Sequence, residues 1–159
     1  MKTKNFIAFI GFIALSQAAG VVGALFTTPA INGWYITLAR PPLSPPNWVF
    51  APVWLSLYTL MGIAAFLVWR KRHEDARVGH ALGTFYLQLV LNALWSIIFF
   101  GLHSLGGALI GIVCLLAAIL ATIVAFKRIS TPTFWLLLPY LLWVSFATYL
   151  NYGFWVGNR

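Results

Sequence analysis

Gln88, Asn92 and Ser96 recur every fourth residue inside an otherwise apolar run, with Trp95 and Phe99 beside them. On a helix that spacing sets two amides and a hydroxyl on one face. Polar groups at mid-membrane depth turn toward protein or a cavity rather than toward lipid. The stripe therefore bonds neighbouring helices, at roughly 0.6 kcal/mol per pair in a bilayer, or lines a hollow, or does both. Three tryptophans, Trp54, Trp95 and Trp143, also lie deep in apolar runs, and a buried indole N–H needs a partner or a ligand. One face of the last run carries Pro139 or Tyr140, Trp143, Phe146 or Ala147, Leu150 and Phe154. Aromatic walls with few polar groups suit a planar or rigid apolar ligand. The other five tryptophans, Trp34, Trp48, Trp69, Trp135 and Trp155, fall near run ends, where the headgroup region favours an indole.

The usual catalytic chemistries lack their residues. No Asp, Glu, Lys or Arg falls within any predicted span, which argues against an intramembrane carboxylate relay. His73, His80 and His103 sit in loops or at helix ends, so they cannot form the paired axial ligands of a membrane haem, and no C-x-x-C-H is present. No Ser-His-Asp set, P-loop or dinucleotide glycine pattern occurs; Gly20-x-x-Gly23 alone is ordinary for a membrane helix. No metal site is expected. Cys114, the single cysteine, lies in an apolar run as a small packing residue and excludes an intrachain disulfide.

The elements that must position these residues follow from composition. Of 159 residues, 62% are apolar and 8% charged, against roughly 25% charged in a soluble domain. With a mean hydropathy of +0.90, the solvent for this surface is lipid. Continuous apolar runs without alternation select helices over a barrel. The reading is all-α, a single domain over 1–159, with membrane spans near 6–27, 46–69, 79–100, 105–126 and 132–155. Lys2, Lys4 and Ser16-Gln17-Ala18 also resemble a cleaved signal peptide, but the apolar run continues through Phe26, which favours an uncleaved first helix. Ser44 can cap and Pro45 open the second helix, and Pro52 should kink it or delay its regular start. Pro132 belongs in the first turn of the fifth helix, and Pro139 should bend that helix.

The net charge of +8 does not indicate nucleic acid, because the cations form short clusters between apolar runs. Lys2, Lys4, Arg70, Lys71, Arg72, Arg77, Lys127 and Arg128 share one side, and Arg40 and Arg159 the other. The positive-inside bias puts the N-terminus inside and the C-terminus outside, most simply in a bacterial cytoplasmic membrane. Residues 28–45 form a proline-rich lid on the outer side, too broken by Pro41, Pro42 and Pro45 for a regular helix. Gly107, Gly111, Cys114, Ala118, Ala121 and Ala125 make a small-residue seam at the left-handed packing period. That seam serves a homodimer or internal packing.

Several stretches carry a family resemblance: Trp34-Tyr35-x-x-Leu38-x-Arg40-Pro41, Pro45-Pro46-x-Trp48-Val49-Phe50 with Trp54, and Leu57-Tyr58-x-Leu60-Met61-Gly62. To these add Gln88-Leu89-x-Leu91-Asn92-x-x-Trp95-Ser96-x-x-Phe99-Phe100-Gly101, Leu138-Pro139-Tyr140-Leu141-x-Trp143 and Phe146-Ala147-Thr148-x-Leu150-Asn151. Nearly the whole chain resembles the TspO/MBR family, the tryptophan-rich sensory proteins related to the peripheral benzodiazepine receptor or translocator protein. The resemblance implies a five-helix membrane protein, commonly a homodimer, that binds porphyrins and in some members sterols or drug-like ligands. It implies no required cofactor, with protoporphyrin IX or a haem-like tetrapyrrole as ligand. The implied pocket is closed by the first loop and lined by Trp34, Tyr35, Trp54, Tyr58, Asn92, Trp95, Trp143, Phe146 and Ala147, to which Phe99 and the lid residue Arg40 are added. Trp54 and Trp143 match tryptophans linked to light-dependent protoporphyrin breakdown, so they are the catalytic candidates if such activity exists. The sterol pattern of animal members is not met, since six residues separate Tyr152 from Arg159 where about five are allowed. Receptor, light-driven enzyme, transporter and a structural bundle whose tryptophans simply pack are the resulting function classes. An enzyme would have to draw its reactivity from the ligand, and no inverted halves or ion-coupling residues point to active transport.

Overall fold

Each uncharged run folds as one helix, the state in which a chain in hydrocarbon satisfies its own backbone. The computed structural model describes residues 2–159, apart from the Lys2 side chain. Its helices are α1 (Lys2–Ile31), α2 (Phe50–Trp69), α3 (Val78–Ser96), α4 (Leu105–Lys127) and α5 (Pro132–Gly157), and no strand occurs among the described residues. All five are long and apolar enough to cross a membrane. The protein is an all-α integral membrane bundle. Around it the order is α1, α2, α5, α4, α3, with α1 closing the ring against α3. Residues 32–49 lie at one end, the lid end; the loops carrying Arg70 to Arg77 and Lys127-Arg128 lie at the other, the basic end.

Several boundaries differ from the sequence expectation. α1 runs past 27 to Ile31 with Pro29 inside its last turn, where the missing proline N–H costs one bond at the helix end. Ser44 does not cap α2 and Pro45 does not open it. Ser44 Oγ donates to the Pro41 carbonyl at 2.7 Å, and Pro46 is extended at φ −57°, ψ 146°. A residue that precedes proline disfavours the helical region, so the chain needs a 3-10 turn at Asn47–Val49 before α2 begins at Phe50. Pro52 then falls in the first turn of α2, where its missing donor is tolerated. α3 ends in a π-helical turn, Ile97–Gly101, closed by the Leu102 N–H on the Ile97 carbonyl at 2.9 Å. Ser104 caps α4 by accepting from the Gly107 N–H.

Toward the basic end the core is Met61, Ala64, Ala65 and Val68 of α2, fully buried against Phe85, Ile112, Phe126 and Leu137. Lipid is as apolar as these side chains, so close packing rather than exclusion of water holds them together. Gly62 shows how close: a Cβ there would lie 2.6 Å from the Ile13 Cα of α1. A second cluster at the lid end gathers Tyr35, Phe99, Ala108, Leu150 and Phe154. The small-residue seam of α4 is divided. Ala118 is buried and Ala125 packs on the core, whereas Cys114 and Ala121 are exposed.

Candidate ligand-binding cavity

Gln17, Gly20, Ala24, Thr27 and Ile31 follow the 3, 4, 3, 4 spacing of one helical face, and on α1 they form one wall of a cavity of about 320 Å³. Phe50, Trp54 and Tyr58 of α2 form the facing wall, Trp95, Ser96 and Phe100 of α3 form the back, and Tyr35 with Asn47 close the lid end. That volume lies at the small end of ligand sites. Six aromatic rings contribute to the walls. Trp54 stacks on Tyr58 with centroids 5.4 Å apart and meets the Tyr140 ring edge-on at 6.3 Å. The Tyr58 ring lies directly over Gly20, where a Cβ would overlap it.

The polar groups are held in defined states. Gln17 Nε2 donates to the Leu55 carbonyl and to Thr59 Oγ1, both at 3.0 Å, and marks the deep end of the cavity. Tyr58 Oη donates to Asn92 Oδ1 at 2.6 Å, and Asn92 Nδ2 donates to the Tyr140 hydroxyl at 2.9 Å. Tyr140 Oη in turn donates to Gln88 Oε1 at 2.8 Å. Gln88 and Asn92 therefore bond helices together, while Ser96, one turn on, lines the cavity. Both readings of the polar stripe hold, divided by residue.

The eleven predicted site residues are distributed as follows. Tyr35, Trp54, Tyr58 and Trp95 line the cavity. Asn92 stands behind Tyr58, and Phe99 lies buried beneath Trp34, Tyr35 and Trp95. Trp34 faces a second, shallower hollow and stacks on His103 at 4.2 Å. Arg40 is exposed at the cavity rim, over the Tyr35 ring and donating to Asn47 Oδ1 at 2.7 Å. Trp143 and Phe146 lie across the Phe50 ring from the cavity: Phe50 lines it and meets Trp143 edge-on at 6.0 Å. Ala147 packs on the core. The Trp143 Nε1 is buried and without a partner among the described residues. Trp95 Nε1, in contrast, donates to Asn151 Oδ1 at 3.0 Å.

Sequence reasoning missed the α1 wall, together with Asn47 and Phe50. The available sign was Gln17, an amide within an apolar span. Its periodic companions are glycine, alanine and threonine, which carry no chemistry to attract notice.

The lid segment is clamped to α5. Asn158 accepts from the Ala39 N–H at 2.8 Å and donates to the Ala39 carbonyl at 3.1 Å and the Phe154 carbonyl at 2.8 Å. Tyr149 Oη donates to the Pro42 carbonyl at 3.2 Å, and Pro41 fills the space over Gly153, where a Cβ would lie 2.5 Å from it.

Taken together, the ring of five spanning helices, the aromatic-walled cavity between α1, α2 and α3 and the docked proline-rich segment define a polytopic membrane bundle. The comparisons give it a place: the chain matches the TspO/MBR family over residues 12–156. It is 44% identical over 153 residues to the tryptophan-rich protein TspO of Chlorobaculum tepidum, with 94% of each chain covered. It is 39% identical over 153 residues to the human translocator protein, covering 94% of this chain and 89% of that one. Against the tryptophan-rich sensory protein of Cereibacter sphaeroides the identity is 36% over 144 residues, covering 91% and 87%. The protein belongs to the TspO/MBR family.

Proposed function

We propose that this protein is a membrane receptor for a planar tetrapyrrole, with protoporphyrin IX as the representative ligand, taken up between α1 and α2 beneath the lid segment. The observation that carries the reading is Trp54, whose ring forms a cavity wall while stacked on Tyr58 and braced by Tyr140. Such a wall offers a macrocycle a flat apolar surface at small conformational cost. No carboxylate, histidine, lysine or cysteine lines the cavity, which favours binding over acid–base catalysis. Arg40 at the rim is placed to pair with a propionate. The names of the relatives, one a sensory protein and another a translocator, agree with a ligand-handling role.

In this reading the basic end faces the cytoplasm and the lid end faces outward, in a bacterial cytoplasmic membrane. A homodimer would use the exposed part of the α4 seam, Cys114 and Ala121. The test is a tryptophan-fluorescence titration with protoporphyrin IX in lipid nanodiscs. Saturable, near-stoichiometric quenching is expected in wild type, with at least tenfold weaker affinity in Trp54→Ala. Quenching that rises linearly without saturation would overturn the reading.

A further inference from the structure

The cavity is sealed unequally. At the lid end, Asn158 holds Ala39 from both sides, Tyr149 holds Pro42, and Tyr35 is only 4% exposed among Phe99, Phe100 and Phe154. All of these attachments run to α3 and α5. Along the α1–α2 seam, in contrast, cavity-lining side chains also form the outer surface: Val21 is 60% and Leu55 61% exposed, and Ala24, Thr28 and Ala51 are exposed beside them. These positions lie within spanning helices, so what they face is lipid.

α1 is also the least enclosed wall. Its most apolar stretch is 11% buried, against 28% or more in each of the other four spans. It is fixed to α2 toward the basic end by the Gly62–Ile13 approach and the two Gln17 hydrogen bonds. Beyond Gln17 the Tyr58 ring of α2 covers Gly20 of α1, and past that contact both helices line the cavity.

We infer that molecules dissolved in the bilayer reach this cavity sideways, through a slot between α1 and α2 with Gln17 at its deep end, while the lid segment stays docked on α5. Ala24 and Ala51 form the rim of the slot. The inference names the route to the site proposed above and rests on that reading only for the identity of the natural ligand. A hydrophobic molecule already concentrated in the membrane need not break the lid's hydrogen bonds or return to water.

The test uses the full chain in lipid vesicles, with Cys114→Ala as background and Ser96→Cys as a reporter on the cavity wall. The probe is N-ethylmaleimide, which partitions into lipid, and labelling of position 96 is followed by peptide mass. The lid is locked by Ala39→Cys with Gly157→Cys; a Gly157 Cβ would lie 3.8 Å from the Ala39 Cβ, within the disulfide range of about 3.5–4.5 Å. Position 96 should label within about twofold of its rate whether the lid is locked or free. Ala24→Trp with Ala51→Trp, both at exposed sites, should slow it tenfold or more. A tenfold loss on locking the lid, with no effect of the filled rim, would overturn the inference. So would a thiol inert in every folded form but reactive once unfolded. Protoporphyrin IX titrated into the same vesicles reports separately: if it fails to saturate while labelling behaves as expected, the receptor reading falls and the lateral slot stands.

Discussion

The Tyr58 hydroxyl and the Asn92 carboxamide meet at 2.6 Å, and the same amide reaches Tyr140 at 2.9 Å, so one asparagine joins the cavity wall to the bundle core. Tyr58 is 5% exposed and its ring is part of the cavity, while Asn92 and Tyr140 are 1% exposed. Sequence pattern, interhelical packing and the shape of the site converge on this link.

Removing either end of it has different consequences. Tyr58→Phe keeps the ring but leaves one buried acceptor on Asn92 unsatisfied. Asn92→Ala strands the Tyr58 hydroxyl, takes one donor from Tyr140, which keeps its bond to Gln88, and opens a void. A stranded buried polar group costs about 1–3 kcal/mol, and interhelical hydrogen bonds in bilayers average nearer ~0.6 kcal/mol. Tyr58→Phe should therefore cost about 1 kcal/mol and Asn92→Ala about 2–3 kcal/mol in equilibrium unfolding from mixed micelles. Equal losses would show that the two tyrosines do not share the amide.

Trp95 and Trp143 offer the opposite contrast. Trp95 Nε1 is bonded to Asn151, whose own amide holds the Leu105 carbonyl at 2.9 Å, whereas Trp143 Nε1 is buried without a partner among the described residues. Replacing Trp95 by Phe breaks a bond and leaves Asn151 Oδ1 without its donor, while the Asn151 amide keeps the Leu105 carbonyl. Replacing Trp143 by Phe removes a desolvated donor, a gain that offsets the lost ring volume. Trp95→Phe should cost about 1–2 kcal/mol, and Trp143→Phe should fall within about 0.5 kcal/mol of wild type. A large loss at Trp143 would show that its indole is satisfied in the membrane-embedded protein.

The five spans were legible because the signal is physical and local. Runs without charge must be helices in lipid, and Arg70 to Arg77 or Lys127-Arg128 cannot lie in its interior. The site was legible only where chemistry stood out. Trp54 and Trp95 stand out because deep indoles need company, whereas Tyr58 enters only through the family resemblance. Gln88 and Asn92 could not be separated from Ser96 by spacing, because the division depends on Tyr140 arriving from another helix. Trp143 is expected at the hollow, but Phe50 lines it and meets the Trp143 ring edge-on, a relation between two helices that spacing within one of them does not show. Gln17 was absorbed into a triplet resembling a cleavage site, which hid the α1 face it begins.

The lid clamp makes a third prediction. Asn158 supplies three hydrogen bonds at the end of α5, two of them to Ala39. Asn158→Ala should release residues 32–46, raising amide exchange at Ala39 by about tenfold or more, equivalent to about 1.4 kcal/mol. Asn158→Asp keeps the acceptor for the Ala39 N–H and loses the donor to its carbonyl, so it should fall between wild type and alanine. Cavity labelling along the slot should be unaffected by either. Unchanged exchange at Ala39 in the alanine variant would show that the aromatic cluster around Tyr35 holds the segment without the clamp.

At the opposite end, Asp75 accepts from the Arg77 N–H at 2.9 Å, from Nε at 3.0 Å and from Nη2 at 2.7 Å. Arg77 Nη2 also donates to the Arg128 carbonyl at 3.3 Å, tying the α2–α3 loop to the α4–α5 loop. The side-chain hydrogen bond with Arg77 and the bond from its backbone N–H hold the Asp75 carboxyl at about 2, below its ordinary 3.8. A carboxyl depressed by folding stabilises the fold above its unfolded value, and that contribution is lost as pH falls from about 3.8 through about 2. The loop connection should therefore be constant from pH 5 to pH 8 and loosen only in strong acid. Carbon-detected NMR of the Asp75 side chain should show a midpoint near 2 in wild type and a return toward 3.8 in Arg77→Ala. High salt should move the midpoint upward by screening this exposed pair. A wild-type midpoint near 4 would mean that the fork between Arg77 and Asp75 is not kept in solution.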